Sequence, residues 1–183
     1  TDLHNVYGLP HFFLSLPLPS APGGQGAAPR LPLDAWYRGM GWATLRNGWD
    51  KDATMLAIRS GFTWNDNHAD AGSFILFDRG QPLLIDSGNS SYAAPEYDAY
   101  YRQSVAHNVV TFNGGAEPKE DTYLGSQLPG KIPLMMDGAG IKYVLADATG
   151  PTSANFSRNF RHVLWIDDVI LIGRLLDEMK RRD

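Results

Sequence analysis

Cysteine is absent from the 183 residues, which excludes disulfides, thiolate metal ligands and a cysteine nucleophile, and leaves the redox compartment open. No apolar run approaches the about 18 residues that a membrane-spanning helix needs. The segment HFFLSLPLP at 11–19 is short, broken by prolines and has no basic region before it, so it makes a poor signal peptide. Charge is sparse: the net value is −4 with no block of one sign. A nucleic-acid partner needs a concentrated cationic face, and none is present. Any preference for an acidic polysaccharide must equally come from local groups. Helical periodicity is almost missing too.

What is present suits an ordinary folded domain. At this length folding buries roughly 70% of the unfolded chain's surface, so bulk stability requires neither disulfide nor metal. Residues 1–35 include the stretch SAPGGQGAAPRLP and read as a Pro/Gly-rich tail or linker from a neighbouring N-terminal domain. Tyr7, Phe12, Phe13 and Leu14 are placed to pin part of it to that neighbour. The chain starts at Thr1 and ends in LIGRLLDEMKRRD with no closing turn, so both ends read as cuts in a longer protein. From 36 to 183 short apolar runs alternate with Gly, Asn and Asp. These are 41–48, 53–61, 73–80, 82–88, 108–115, 141–150, 156–168 and 169–177. About eight strands at such spacing, with 19 glycines, predict an all-β fold, an antiparallel β-sandwich. Two longer loops interrupt it, 89–103 and 114–133, and loops on a rigid scaffold are where function concentrates.

The stretch WNDNHADAGSFILFDRGQPLLIDSGNSSY (64–92) and the later RQSVAHNVVTFNG (102–114) hold three potential metal ligands, His68, Asp86 and His107. His68 precedes SFILF, Asp86 ends PLLID, and His107 opens NVVTF. If DRGQ closes a hairpin, His68 and Asp86 reach the same end of the sheet, and His107 meets them there. Two imidazoles and a carboxylate suit zinc, with a fourth position left for water or substrate. The plainer readings are a hydrogen-bonding loop histidine and an aspartate that forms a turn before Ser-Gly. His162, inside FRHVLW, is expected to face solvent or make a structural hydrogen bond.

NDNHADAGSFILFDRGQPLLIDSG followed by YYRQSVAHNVVTFNG resembles the C-terminal β-domain signature of heparinase II/III-like polysaccharide lyases. LRNGWDKDATMLAIRSG at 45–61 is similar to the segment that precedes it. The resemblance implies an α/α-toroid domain N-terminal to the sandwich, with the substrate cleft between the two. It puts zinc on His68, Asp86 and His107, the set already chosen from chemistry, and makes Asp70 at most a residue that orients a ligand. It also implies β-elimination on a uronic-acid glycan such as heparin, heparan sulfate or alginate, in the periplasm or outside a bacterial cell. The principal tyrosine and histidine acid/base pair would lie in the toroid, so these residues alone would not turn over substrate. One departure stands out. The family motif begins H-x-H, and the first of those positions is Asp66 here, which would repel a uronate where a histidine neutralises it.

Asp66, Asn67, Tyr92, Tyr101 and Arg102 are the candidate substrate contacts, Asn67 and Asn65 as hydrogen-bond donors and the tyrosines as stacking faces. Arg102 is either a bidentate partner for a carboxylate or sulfate or an ion pair to Asp98 or Glu96. Trp36, Trp42, Trp49 and Trp64 read as core and interface aromatics, and Arg158 and Arg161 as solvated charge. Two other functions fit the same residues: a non-catalytic carbohydrate-binding or interaction domain, and a metal-dependent hydrolase with Asp66 or Asp70 as base.

Overall fold

The computed structural model describes residues 31–62, 68–117 and 124–178. Asn65, Asp66, Asn67 and Trp64 fall outside the described residues, as do most of the Pro/Gly-rich stretch and its four apolar anchors. The chain divides into Thr1–Leu31 and Pro32–Asp183, and everything below concerns the second part.

Two antiparallel meanders form the sandwich. The first sheet orders β1 (Ala35–Tyr37), β2 (Trp42–Arg46), β3 (Met55–Arg59), β4 (Phe74–Asp78) and β5 (Gln81–Leu84). The second orders β6 (Lys131–Gly138), β7 (Ile141–Asp147), β8 (Phe156–Ile166) and β9 (Val169–Glu178). Period-two alternation drives both. Ala43 and Leu45 of β2, Leu56 and Ile58 of β3, and Phe74 and Leu76 of β4 point inward. They meet Ile132, Val144, Ala146, Val163 and Trp165 from the second sheet in one core. Each large aliphatic side chain so buried contributes about 1.5–3 kcal/mol of transfer free energy.

The DRGQ hairpin forms as expected. Asp78 pairs with Gln81, and the two central residues Arg79 and Gly80 both take positive φ, 48° and 71°. That is the primed turn whose twist matches the flanking strands. Gly80 is required twice over, since a Cβ there would sit 2.2 Å from the Lys51 carbonyl oxygen. The sheets are tied across the core by polar links. Lys142 Nζ reaches both Asp34 carboxylate oxygens at 2.9 and 2.7 Å and the Arg46 carbonyl at 2.6 Å. Ser60 Oγ donates to the Asp147 carbonyl at 2.8 Å.

Three expectations need correction. Residues 108–112 form no strand; only an isolated bridge joins Phe112 to Gly115. β6 is a strand missing from the runs read in the sequence, and its first three residues, 131–133, fall in the predicted loop 114–133. It lies at the edge of its sheet, where Pro133 can lack a ladder donor without penalty. Trp42 and Trp49 are exposed, whereas Trp165 is the tryptophan fully in the core. His162 makes the structural bond foreseen for it, with Tyr143 Oη at 2.7 Å from its Nδ1.

Candidate active site and metal centre

His68, Asp86 and His107 lie at one end of the first sheet, and the backbone explains how each arrives there. His68 opens a turn in which Ser73 N donates to Asp70 O and Gly72 N to Arg59 O, leading into β4. Asp86 follows β5 by two residues. Its Oδ1 accepts the Gly88 N–H at 2.9 Å, the turn-forming bond that Asp-Ser-Gly predicts. His107 leaves a short 3-10 turn, Ser104–Ala106, rather than a strand. Its neighbour Asn108 anchors it: Nδ2 donates to the carbonyls of Phe74 and Ile85, at 2.9 and 3.0 Å. One side-chain amide thus clamps the His107 segment to the ends of β4 and β5, which is how a residue outside any strand is held at the strand ends.

Asp86 turns its second oxygen to His107. Oδ2 lies 2.7 Å from His107 Nδ1, and the His107 side chain is only 1% exposed. The His68 ring centroid lies 5.1 Å from that of His107. Burial pushes the Asp86 carboxyl up. The hydrogen bonds from His107 and the Gly88 N–H, with the charges of His107 and His68, outweigh it and hold the group below its ordinary range. An ionised Asp86 makes Nδ1 the donating nitrogen of His107. Its other nitrogen, Nε2, is buried without a hydrogen-bond partner. Among the described residues no three His, Asp or Glu side chains are grouped to hold a metal ion as they stand. Two imidazoles and a carboxylate nevertheless fit zinc by donor type.

The tyrosine-rich loop packs over His68. Ala69 N donates to Arg102 O at 2.8 Å, and the buried Tyr97 ring stands edge-on to the His68 ring at 5.9 Å. Tyr97 was visible only as one of several loop tyrosines. Tyr92 is exposed and packs its ring on Tyr97; Tyr101 packs on Tyr100, whose hydroxyl lies 3.0 Å from Ser87 Oγ. Arg102 pairs with Asp98 at 2.5 Å, one of the two ion pairs foreseen for it.

Asp70 contacts none of the three ligand candidates through a hydrogen bond; it forms an ion pair with Arg59. Glu117 joins that pair. Its Oε1 accepts the Ala71 N–H at 3.3 Å, Oε2 is buried without a partner, and burial with the Asp70 charge raises its pKa to about 8. Sequence reasoning missed Glu117, which looks like one more polar loop residue.

A groove of about 620 Å³ runs from these residues across the sheet. Met40, Trp42 and Phe62 supply an apolar wall, while Arg59, His68 and Asp86 supply polar groups.

The model of the family described as heparinase II/III-like, C-terminal, matches residues 29–146. A heparin-sulfate lyase of Bacteroides stercoris is 34% identical over 97 residues, which is 50% of this chain and 14% of that one. A heparin-sulfate lyase of Pedobacter heparinus is 33% identical over the same shares. This chain therefore spans about a seventh of the length of these relatives. Among solved structures, a heparinase III superposes with TM-score 0.68 at 24% identity, covering 85% of this chain and 23% of that one. The heparan sulfate lyase of Pedobacter heparinus gives 0.65 at 22%, covering 84% and 23%. At these identities the superpositions establish the fold, which is that of the sandwich described above.

Proposed function

Because the chain belongs to the heparinase II/III-like C-terminal family, we propose that it is the β-sandwich part of a polysaccharide lyase acting on uronate-containing glycans, with a zinc ion held by His68, Asp86 and His107. One observation carries this reading: a half-buried Asp86 bonded to the buried His107, with the His68 ring against it, at the head of a groove with one aromatic wall. A hydrogen bond and joint ligation of one ion are alternatives for Asp86 Oδ2 and His107 Nδ1: tetrahedral ligands about 2.0 Å from zinc stand roughly 3.3 Å apart, so the ion would open the 2.7 Å contact by about half an ångström. Zinc, when bound, supplies a brace that joins the β4 approach, the end of β5 and the loop before Asn108.

The chain's own residues set what the groove can do. Trp42 and Phe62 offer faces on which a sugar ring stacks, leaving its polar edge toward His68 and Arg59. Removing the proton beside a uronate carboxylate places a second negative charge next to the first, so that carboxylate must first be neutralised. His68 and Arg59 are the cationic or donor groups on the groove wall, while Asp70 already engages Arg59. The acid and base are assigned to parts of the protein beyond these residues. The substrate class places the enzyme in the periplasm or outside the cell.

The test is calorimetric titration with heparan sulfate, heparin, alginate and neutral glycan oligosaccharides, with ultraviolet detection of unsaturated uronate in the same samples. The expected result is binding of a uronate glycan at least about tenfold above the neutral one, a difference of about 1.4 kcal/mol, with no unsaturated product. Equal affinity for all four would refute the substrate class. Product formation by this chain would refute the assignment of acid and base elsewhere.

A further inference from the structure

Arg161 and Arg174 are direct cross-strand neighbours on β8 and β9. Arg161 was expected to be solvated, yet it is 6% exposed and lies on the inward row with Asn159, Val163 and Trp165. Like charges facing each other across a ladder destabilise it, and here both are removed from water. Every partner found for them is neutral. Arg161 Nη2 donates to the Asn108 carbonyl at 2.9 Å and its guanidinium lies 4.4 Å from the Phe74 ring centre. Arg174 Nη1 donates to Asn159 Oδ1 at 2.7 Å. Among the described residues neither forms an ion pair: of the carboxylates nearby, Asp70 is paired with Arg59, Asp86 is bonded to His107, and Glu117 accepts from the Ala71 N–H with its pKa raised to about 8, so that it is mostly neutral at pH 7.

Three guanidinium nitrogens are left over. Arg161 Nε, Arg174 Nε and Arg174 Nη2 are buried without a hydrogen-bond partner. Arg174 Nη2 lies beneath the turn before β4, where a Cβ on Gly72 would stand 3.3 Å from it. Burial lowers the Arg161 pKa to about 9, helped by the Arg174 charge, and burial lowers that of Arg174 to about 10. Both therefore stay charged at neutral pH, and loss of a proton does not relieve the repulsion. Water could satisfy the leftover donors but not the paired positive charge. An uncompensated buried charge is the costlier defect, and a guanidinium fork is the shape that grips a compact anion.

We propose that Arg161 and Arg174 together bind a small inorganic anion, a halide or an oxyanion such as sulfate, between the sheets and against the His107–Asn108 segment. The anion would cancel the repulsion along the β8–β9 ladder and steady Asn108, which clamps that segment to β4 and β5. This site is separate from the groove and does not depend on the zinc assignment.

The test is thermal melting at fixed ionic strength, replacing a bulky organic anion stepwise with chloride or with sulfate. The expected result is a saturable rise of about 5 °C with at least one of them, abolished in Arg174→Met. The anion that saturates at lower concentration identifies the preferred ligand. Identical melting temperatures in all three salts would overturn the proposal, as would a rise that Arg174→Met retains. Should Arg174→Met not fold, crystals of the unaltered protein grown in bromide decide the matter. An anomalous peak between the two guanidinium groups, in bromide or in a second crystal grown in selenate, supports the site, and its absence from both overturns it.

Discussion

His107→Ala should lower stability at neutral pH by about 3 kcal/mol, read as a shift in urea midpoint with little change in slope. The substitution empties a buried position and removes the partner of Asp86 Oδ2. It also uncouples Asn108 from the residue it positions. The effect carries a pH signature. The depressed Asp86 pKa contributes stability that is present above its unfolded value of 3.8 and lost as pH falls through the lower folded value. In His107→Ala the hydrogen bond and charge that depress it are gone, leaving burial to dominate. The gap between the two proteins should therefore narrow as pH drops below about 4. A gap that is constant down to acid pH would mean that His107 stabilises by packing alone.

Glu117→Gln should act in the opposite pH range. Burial, the Asp70 charge beside it and an incompletely partnered carboxyl raise the Glu117 pKa from 4.5 to about 8. A carboxyl that holds its proton more tightly when folded makes the folded state bind more protons than the unfolded state between those values. Stability should thus fall as pH rises from about 4.5 to 8, by on the order of 5 kcal/mol in total. Glutamine keeps the oxygen that accepts the Ala71 N–H at 3.3 Å and cannot ionise. Its stability should be nearly flat over the same range, so that the variant becomes the more stable protein above about pH 8. Urea midpoints measured from pH 5 to 8.5 decide this, and parallel curves for the two proteins would show that Glu117 ionises freely when folded. Because Glu117 and Asp70 share the neighbourhood of Arg59, the substitution also leaves Arg59 wholly to Asp70 on the groove wall.

Most of the architecture was written in alternation. The runs at 41–48, 53–61 and 73–80 became β2 to β4 because each put apolar residues on one face, while the exposed run after DRGQ became β5 through that hairpin's register. The proximity of His68, Asp86 and His107 was legible for a related reason: a hairpin with a two-residue turn returns its arms to one end. The route of His107 was not. Asn-Val-Val-Thr-Phe has strand-forming residues, but among the described residues its only ladder contact is the Phe112–Gly115 bridge. An asparagine amide bonding two carbonyls does the work that a ladder was expected to do. β6 was hidden by Pro133, which reads as a breaker unless the strand is known to lie at an edge. Arg161 was misjudged by weighing its charge above its position. The series Asn159, Arg161, Val163, Trp165 already placed it on the inward face of β8. Glu117 could not have been found, because its perturbation comes from burial and from the charge of Asp70, both set by parts of the chain distant in sequence.

The most direct test is the metal content of the protein purified without chelators. About one zinc per chain is predicted for the unaltered protein, falling to a small fraction in both His107→Ala and Asp86→Asn. A zinc-free unaltered protein that gains no stability on adding zinc would contradict the account, and so would zinc retained in full by both variants.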